Sequence, residues 1–156
     1  MNQKIRVLLE VAKAFNESDI TWNLGGSMML FFRSISREFN DIDIMISEQH
    51  VEKVKEIMTS IATPRKKTVD EMYQTKSFLE YEIDGINIDI IAGLTIVSEE
   101  KAHYFPLKDK NLLDIIDING TLIYLEGLTV WLNYYKLMNQ TDKVELIEHY
   151  HKLKSS

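Results

Sequence analysis

Residues 22–46 read WNLGGSMMLFFRSISREFNDIDIMI, and the folding of this stretch decides how the rest of the chain is arranged. Asp19 to Leu24 (DITWNL) is short, rich in strand formers and runs into Gly25, which predicts a strand delivered to a tight turn. The apolar run after Gly25, Gly26 and Ser27 predicts a helix of about two turns with a capped start. Asp41 to Ile46 (DIDIMI) then alternates through its first four residues, putting Asp41 and Asp43 on one side of a strand and Ile42 and Ile44 on the other. The expected product is a half-buried strand with an acidic face.

Outward from this stretch, Ile5, Leu8, Leu9, Ala12 and Phe15 recur at helical spacing and predict an amphipathic helix over 2–17. Beyond Ser47, a candidate cap, Val51, Val54, Ile57, Met58 and Ile61 predict a helix over 48–62, closed by Pro64. SFLEYEI and INIDII flank Asp84-Gly85, and LLDIIDI and TLIYL flank Asn119-Gly120. Each pair predicts a hairpin, because both dipeptides accept the positive φ angles of a two-residue turn. Residues 93–111 carry no clear period and are expected to be loop with at most one helical turn. From Leu128 to Tyr150 the spacing is helical again, interrupted near Gln140 and Thr141, which predicts two helices. The expected fold is α/β (α+β), a mixed sheet flanked by helices.

The length of 156 residues suits one domain over 1–156, with enough chain for one sizeable core. A net charge of −6 argues against an electrostatic grip on long nucleic acid, which needs clustered Lys and Arg. Arg65, Lys66 and Lys67 are the only such cluster and read as a solvated loop or edge. The absence of Cys excludes disulfides and thiolate zinc sites and fits a reducing, cytoplasmic setting. No run reaches the ~20 apolar residues of a membrane span. The four His read as surface residues, and Trp131, Tyr134 and Tyr135, at helical spacing, read as core rather than as a stacking surface.

Two aspartates at i and i+2 of a strand stand about 6.6 Å apart at Cα on one face, close enough for both carboxylates to reach one hard cation. Without a cation they repel and raise each other's pKa. Asp89, between Ile88 and Ile90, supplies a third oxygen donor if its strand neighbours the first. Backbone N–H groups at a helix start attract phosphate, and glycine lets it approach without a Cβ in the way. Each signal alone is common in turns and strand edges. Their order and spacing give them weight.

Gly25-Gly26-Ser27, then Asp41-Ile42-Asp43-Ile44, then a later single Asp89, resembles the signature of the nucleotidyltransferase superfamily with the DNA polymerase beta type fold. Arg37-Glu38-Phe39-Asn40 resembles the lead-in of small antibiotic (lincosamide and aminoglycoside) and toxin–antitoxin nucleotidyltransferases. The resemblance implies that Gly25, Gly26 and Ser27, with Arg37, hold the triphosphate and that Asp41 and Asp43 bind Mg²⁺. Asp89 is implied as a third metal ligand or as the base for the acceptor hydroxyl. Lys136 resembles a lysine placed near the nucleotide phosphates, Lys143 falls in a similar late tract, and Gln140 stands where an Arg is expected. The implied reaction is Mg²⁺-dependent transfer of a nucleoside monophosphate from a nucleoside triphosphate to a small molecule or partner protein. The second reading is an antitoxin-like binding protein that keeps the fold with little catalysis. Association with a partner protein or a second copy fits either.

Overall fold

The computed structural model describes residues 2–65, 77–107 and 113–155. Helix α1 (Gln3–Glu17) starts where the Asn2 side chain accepts the Lys4 N–H at 2.7 Å, a cap supplied by the sequence itself. Its apolar stripe, from Val7 to Phe15, is fully buried. Strand β1 (Trp22–Gly25) passes directly into helix α2 (Gly26–Phe32), and β2 (Ile42–Ile46) returns antiparallel to β1. A 3₁₀ turn at Glu48–His50 precedes α3 (Val51–Ile61), so the helix expected over 48–62 is present with a tightened first turn.

Strand β3 (Thr63–Pro64) is a two-residue edge. Strands β4 (Ser77–Ile83) and β5 (Ile86–Ala92) form the hairpin expected at Asp84-Gly85, where both residues have positive φ. Strands β6 (Leu94–Ser98) and β7 (Lys101–Phe105) follow, then β8 (Asp114–Ile118) and β9 (Thr121–Leu125), joined at Asn119-Gly120 as expected. Helices α4 (Leu128–Leu137) and α5 (Thr141–Ser155) complete the described chain and are separated near Gln140.

The expectation of loop over 93–111 is overturned for its first part. Residues 94–105 are the β6–β7 hairpin, a separate two-stranded sheet. Its turn residues, Glu99 and Glu100, both take positive φ, the conformation that Gly, Asn or Asp normally signals, so the sequence carried no turn mark there. Residues 108–111 lie outside the described residues.

The main sheet has seven strands in the order β3-β4-β5-β2-β1-β9-β8. Strands β2 and β5 pair in parallel, as do β1 and β9, while the other pairs of this sheet are antiparallel. Period-2 alternation sends Ile42, Ile44, Ile46, Ile88 and Ile90 to one face, where they are buried in the same core as α1 and α3. Each such side chain removed from water contributes about 1.5–3 kcal/mol before chain entropy is counted. The opposite face carries the acidic residues; Trp131, Tyr134 and Tyr135 of α4 are buried, and Trp131 packs on Gly25 of β1.

Candidate active site

Register across four strands builds the site. Gly25 on β1 lies opposite Asp43 on β2, Asp43 opposite Asp89 on β5, and Asp89 opposite Glu80 on β4. In-register neighbours point to the same face, so Asp43, Asp89 and Glu80 form a row of carboxylates across the sheet. Asp41 sits just before β2, exposed, at the rim of the same cavity. This cavity, of about 290 Å³, takes Gly26, Ser27, Asp41, Asp43 and Asp89 on its polar side and Phe78, Trp131, Tyr135 and Met138 on its apolar side.

Both glycines are required by close approach. Gly26 has φ +63°, and a Cβ there would lie 2.2 Å from Asp43 Oδ2. A Cβ on Gly25 would lie 2.1 Å from the Trp131 ring, which packs on the bare backbone. Trp131 Nε1 is buried and has no hydrogen-bond partner among the described residues. Ser27 does not cap α2, whose N-cap is Gly25 with no side-chain bond. Its hydroxyl instead accepts the Asn40 N–H at 3.0 Å and ties the approach to β2 against the start of α2. Ser47 likewise caps without a side-chain bond.

Electrostatics within the row is uneven. Burial, then the nearby charges of Asp89 and Asp41, push the Asp43 carboxyl up to about 8. Burial also raises Asp89, but there the Arg65 guanidinium pulls the other way. Arg65 is no solvated edge residue. Its side chain is 23% exposed, pairs with Asp89 Oδ1 and stands 3.7 Å from Glu80 Oε2. Asp89 is therefore held by a cation of the protein, and among the described residues no three donors converge as a ready cage for a metal ion. Asp41 and Asp43 stay together at the cavity. Two carboxylates are the number Mg²⁺ commonly takes from a protein, with water and phosphate completing its shell, so this donor chemistry fits it.

The basic residues separate into two groups. Lys143 lines the cavity together with Gln140. Lys136, on α4, is exposed and pairs with Glu148 at 3.5 Å, outside the cavity wall. Arg37 is exposed and lines a neighbouring groove with Lys4 and Phe39, sharing only Asn40 with the acidic cavity. Sequence reasoning missed Arg65 and Glu80 as parts of the site. The alternation of SFLEYEI puts Glu80 on the same face as Phe78 and Glu82, but only the register of β4 on β5 sets it beside Asp89. His50, expected at the surface, is half-buried and accepts the Thr21 N–H at Nδ1, 3.1 Å away.

In fold, this chain is similar to solved nucleotidyltransferases. A protein from Thermotoga maritima, provisionally assigned as a nucleotidyltransferase, matches with a TM-score of 0.71 and 20% identity, covering 95% of this chain and 92% of that one. The lincosamide antibiotic adenylyltransferase LnuA, solved with lincomycin bound, matches with a TM-score of 0.61 and 16% identity over 95% and 96% of the two chains. ANT(2″)-Ia, in complex with adenylyl-2″-tobramycin, matches with a TM-score of 0.60 and 11% identity over 94% and 88%. No family model and no curated protein sequence matches the chain.

Proposed function

We propose that this chain, folded as one domain over 1–156, is a Mg²⁺-dependent nucleotidyltransferase that moves a nucleoside monophosphate from a nucleoside triphosphate to a hydroxyl of a small molecule. The observation that carries the reading is the in-register pair Asp43–Asp89 on parallel strands, opening into a cavity beside Gly26 and Ser27. The likeness in fold to adenylyltransferases solved with lincomycin and with adenylyl-2″-tobramycin supports a small hydroxylated acceptor.

Asp41 and Asp43 hold the cation, which when bound neutralises triphosphate charge and the charge that develops at the reacting oxygens. Gly26 and Ser27 border the triphosphate, and Lys143 approaches it from α5. Phe78, Trp131 and Tyr135 give the nucleoside or acceptor an apolar wall and exclude water from the reacting groups. The acceptor oxygen attacks the α-phosphorus in line as its proton passes to Asp89, and the bond from the α-phosphorus to the bridging oxygen breaks. Pyrophosphate departs with that electron pair. Alignment supplies most of the acceleration, as expected where the protein contributes little covalent chemistry.

The test is pyrophosphate release from a panel of nucleoside triphosphates with Mg²⁺ and hydroxylated acceptors, followed by mass spectrometry of the acceptor. A nucleotide-modified acceptor whose formation is lost in Asp43→Asn is the expected result. Absence of release and of any modified product across the panel would leave the fold serving partner binding, the antitoxin-like alternative.

A further inference from the structure

Arg65 closes the acidic row at the β3 edge. Its backbone N–H donates to the Glu80 carbonyl at 2.9 Å, extending the β3–β4 ladder by one residue. Nε donates to the Tyr81 carbonyl at 2.9 Å, Nη1 stands 3.7 Å from Glu80 Oε2, and Nη2 pairs with Asp89 Oδ1. A guanidinium is a rigid plane, so the Nε bond to the Tyr81 carbonyl of β4, with Glu80 facing Nη1, restricts where Nη2 points. The Glu80 side chain is only 3% exposed. A carboxylate buried so deeply needs a charged partner, and Arg65 faces it while also pairing with Asp89.

The geometry points to Arg65 as a positioning residue, anchored by Glu80, that holds Asp89 out of the cation site. Asp41 and Asp43 then ligate the cation as a pair, and Asp89, with Oδ1 taken by Arg65, keeps Oδ2 for the acceptor hydroxyl. This division of labour rests on the nucleotidyl-transfer reading, because only there does Asp89 need a free oxygen. In the attacking step the acceptor O–H proton goes to Asp89 Oδ2, the oxygen–phosphorus bond forms, and pyrophosphate leaves with the electrons of the broken bond.

Mn²⁺ alone is the probe, measured on the full chain by the electron paramagnetic resonance signal of the free ion, with steady-state turnover measured in parallel. Asp43→Asn should weaken Mn²⁺ binding by about tenfold or more, whereas Asp89→Asn should change it by less than about twofold. Arg65→Gln should free Asp89 to join the cation, tightening Mn²⁺ several-fold. It should also lower kcat roughly 10²-fold, with the nucleotide KM within about threefold. In the Arg65→Gln background, Asp89→Asn should then weaken Mn²⁺ several-fold, a non-additive cycle that loss of a surface charge does not produce. Arg65→Lys should restore only part of kcat, lacking the planar hold.

Equal loss of Mn²⁺ affinity in Asp89→Asn and Asp43→Asn, or an additive cycle, would overturn the proposal. A folded wild type that binds no Mn²⁺ would overturn the two-carboxylate site together with it. If the Mn²⁺ pattern holds but no triphosphate is turned over, the transfer reading fails while the hold of Arg65 on Asp89 stands.

Discussion

The two ends of the acidic row meet the same electrostatic problem in different ways. At the β5–β4 end, Asp89 and Glu80 share a guanidinium whose Nε is held by the Tyr81 carbonyl of β4. At the β2 end, burial and then the like charges of Asp89 and Asp41 raise the Asp43 carboxyl to about 8. The first end is partly compensated from within the fold by one guanidinium. The second is left under tension, and a cation or a proton has to relieve it. Such an uncompensated carboxylate weakens the fold, which is the usual relation between a reactive site and stability.

The largest effect that separates the ends is chemical. Asp43→Asn should lower nucleotidyl transfer by on the order of 10³-fold, because half the carboxylate pair proposed to hold the cation is lost. Pyrophosphate release measures it directly, and a loss smaller than that in Arg65→Gln would reverse the ranking of the two ends. The same variant should be more stable than the parent. Unfolded, Asp43 ionises near 3.8; folded, it keeps its proton until about pH 8. The folded chain thus binds more protons between these values, and stability falls as pH rises through that window. Asp43→Asn removes this slope, so its Tm should exceed the parent's by roughly 5 °C at pH 8 and by about nothing at pH 4. A Tm difference that does not grow with pH would show that Asp43 is not held under tension.

The glycine turn offers the next contrast, since both glycines touch the uncompensated end. Gly25→Ala drives a Cβ into the Trp131 ring and should destabilise by about 1–3 kcal/mol, read from chemical denaturation. Gly26→Ala adds positive-φ strain to a contact with the carboxylate end of the Asp43 side chain. It should therefore cost less in stability than Gly25→Ala and more in turnover, because the displaced group is the carboxylate itself. The opposite order in the two assays would mean that the turn serves packing and not the site.

Much of this arrangement was legible before any coordinates. Asp84-Gly85 and Asn119-Gly120 announced their hairpins because glycine and its partners reach positive φ at low cost, and Ile alternation announced which face is dry. The β6–β7 hairpin stayed hidden because Glu99 and Glu100 adopt the same turn without the residues that mark it. Asp41, Asp43 and Asp89 could be named from alternation and resemblance, since strand period fixes a face. Arg65 and Glu80 could not. Their meeting depends on which strand lies next to β5 and in what register, a tertiary fact with no local sequence mark.

The smallest expected effect concerns the late lysines, where two residues seven apart in sequence were alike in character and differ in position. Lys143 lines the acidic cavity, and Lys136 spends its charge on Glu148 at 3.5 Å in an exposed pair. An exposed pair of this kind contributes about 0–1 kcal/mol and carries nothing to the far side of the helix. A lysine at the cavity wall contributes to phosphate binding as a point charge, an interaction made in the ground state and the transition state alike. Lys143→Ala should therefore raise the triphosphate KM about five- to tenfold with kcat nearly unchanged, and Lys136→Ala should change either constant by less than about twofold. Higher salt should shrink the Lys143 effect, because part of it is screened. Equal KM effects from the two substitutions would place the triphosphate nearer α4 than the cavity allows, and would move the uncompensated end of the row with it.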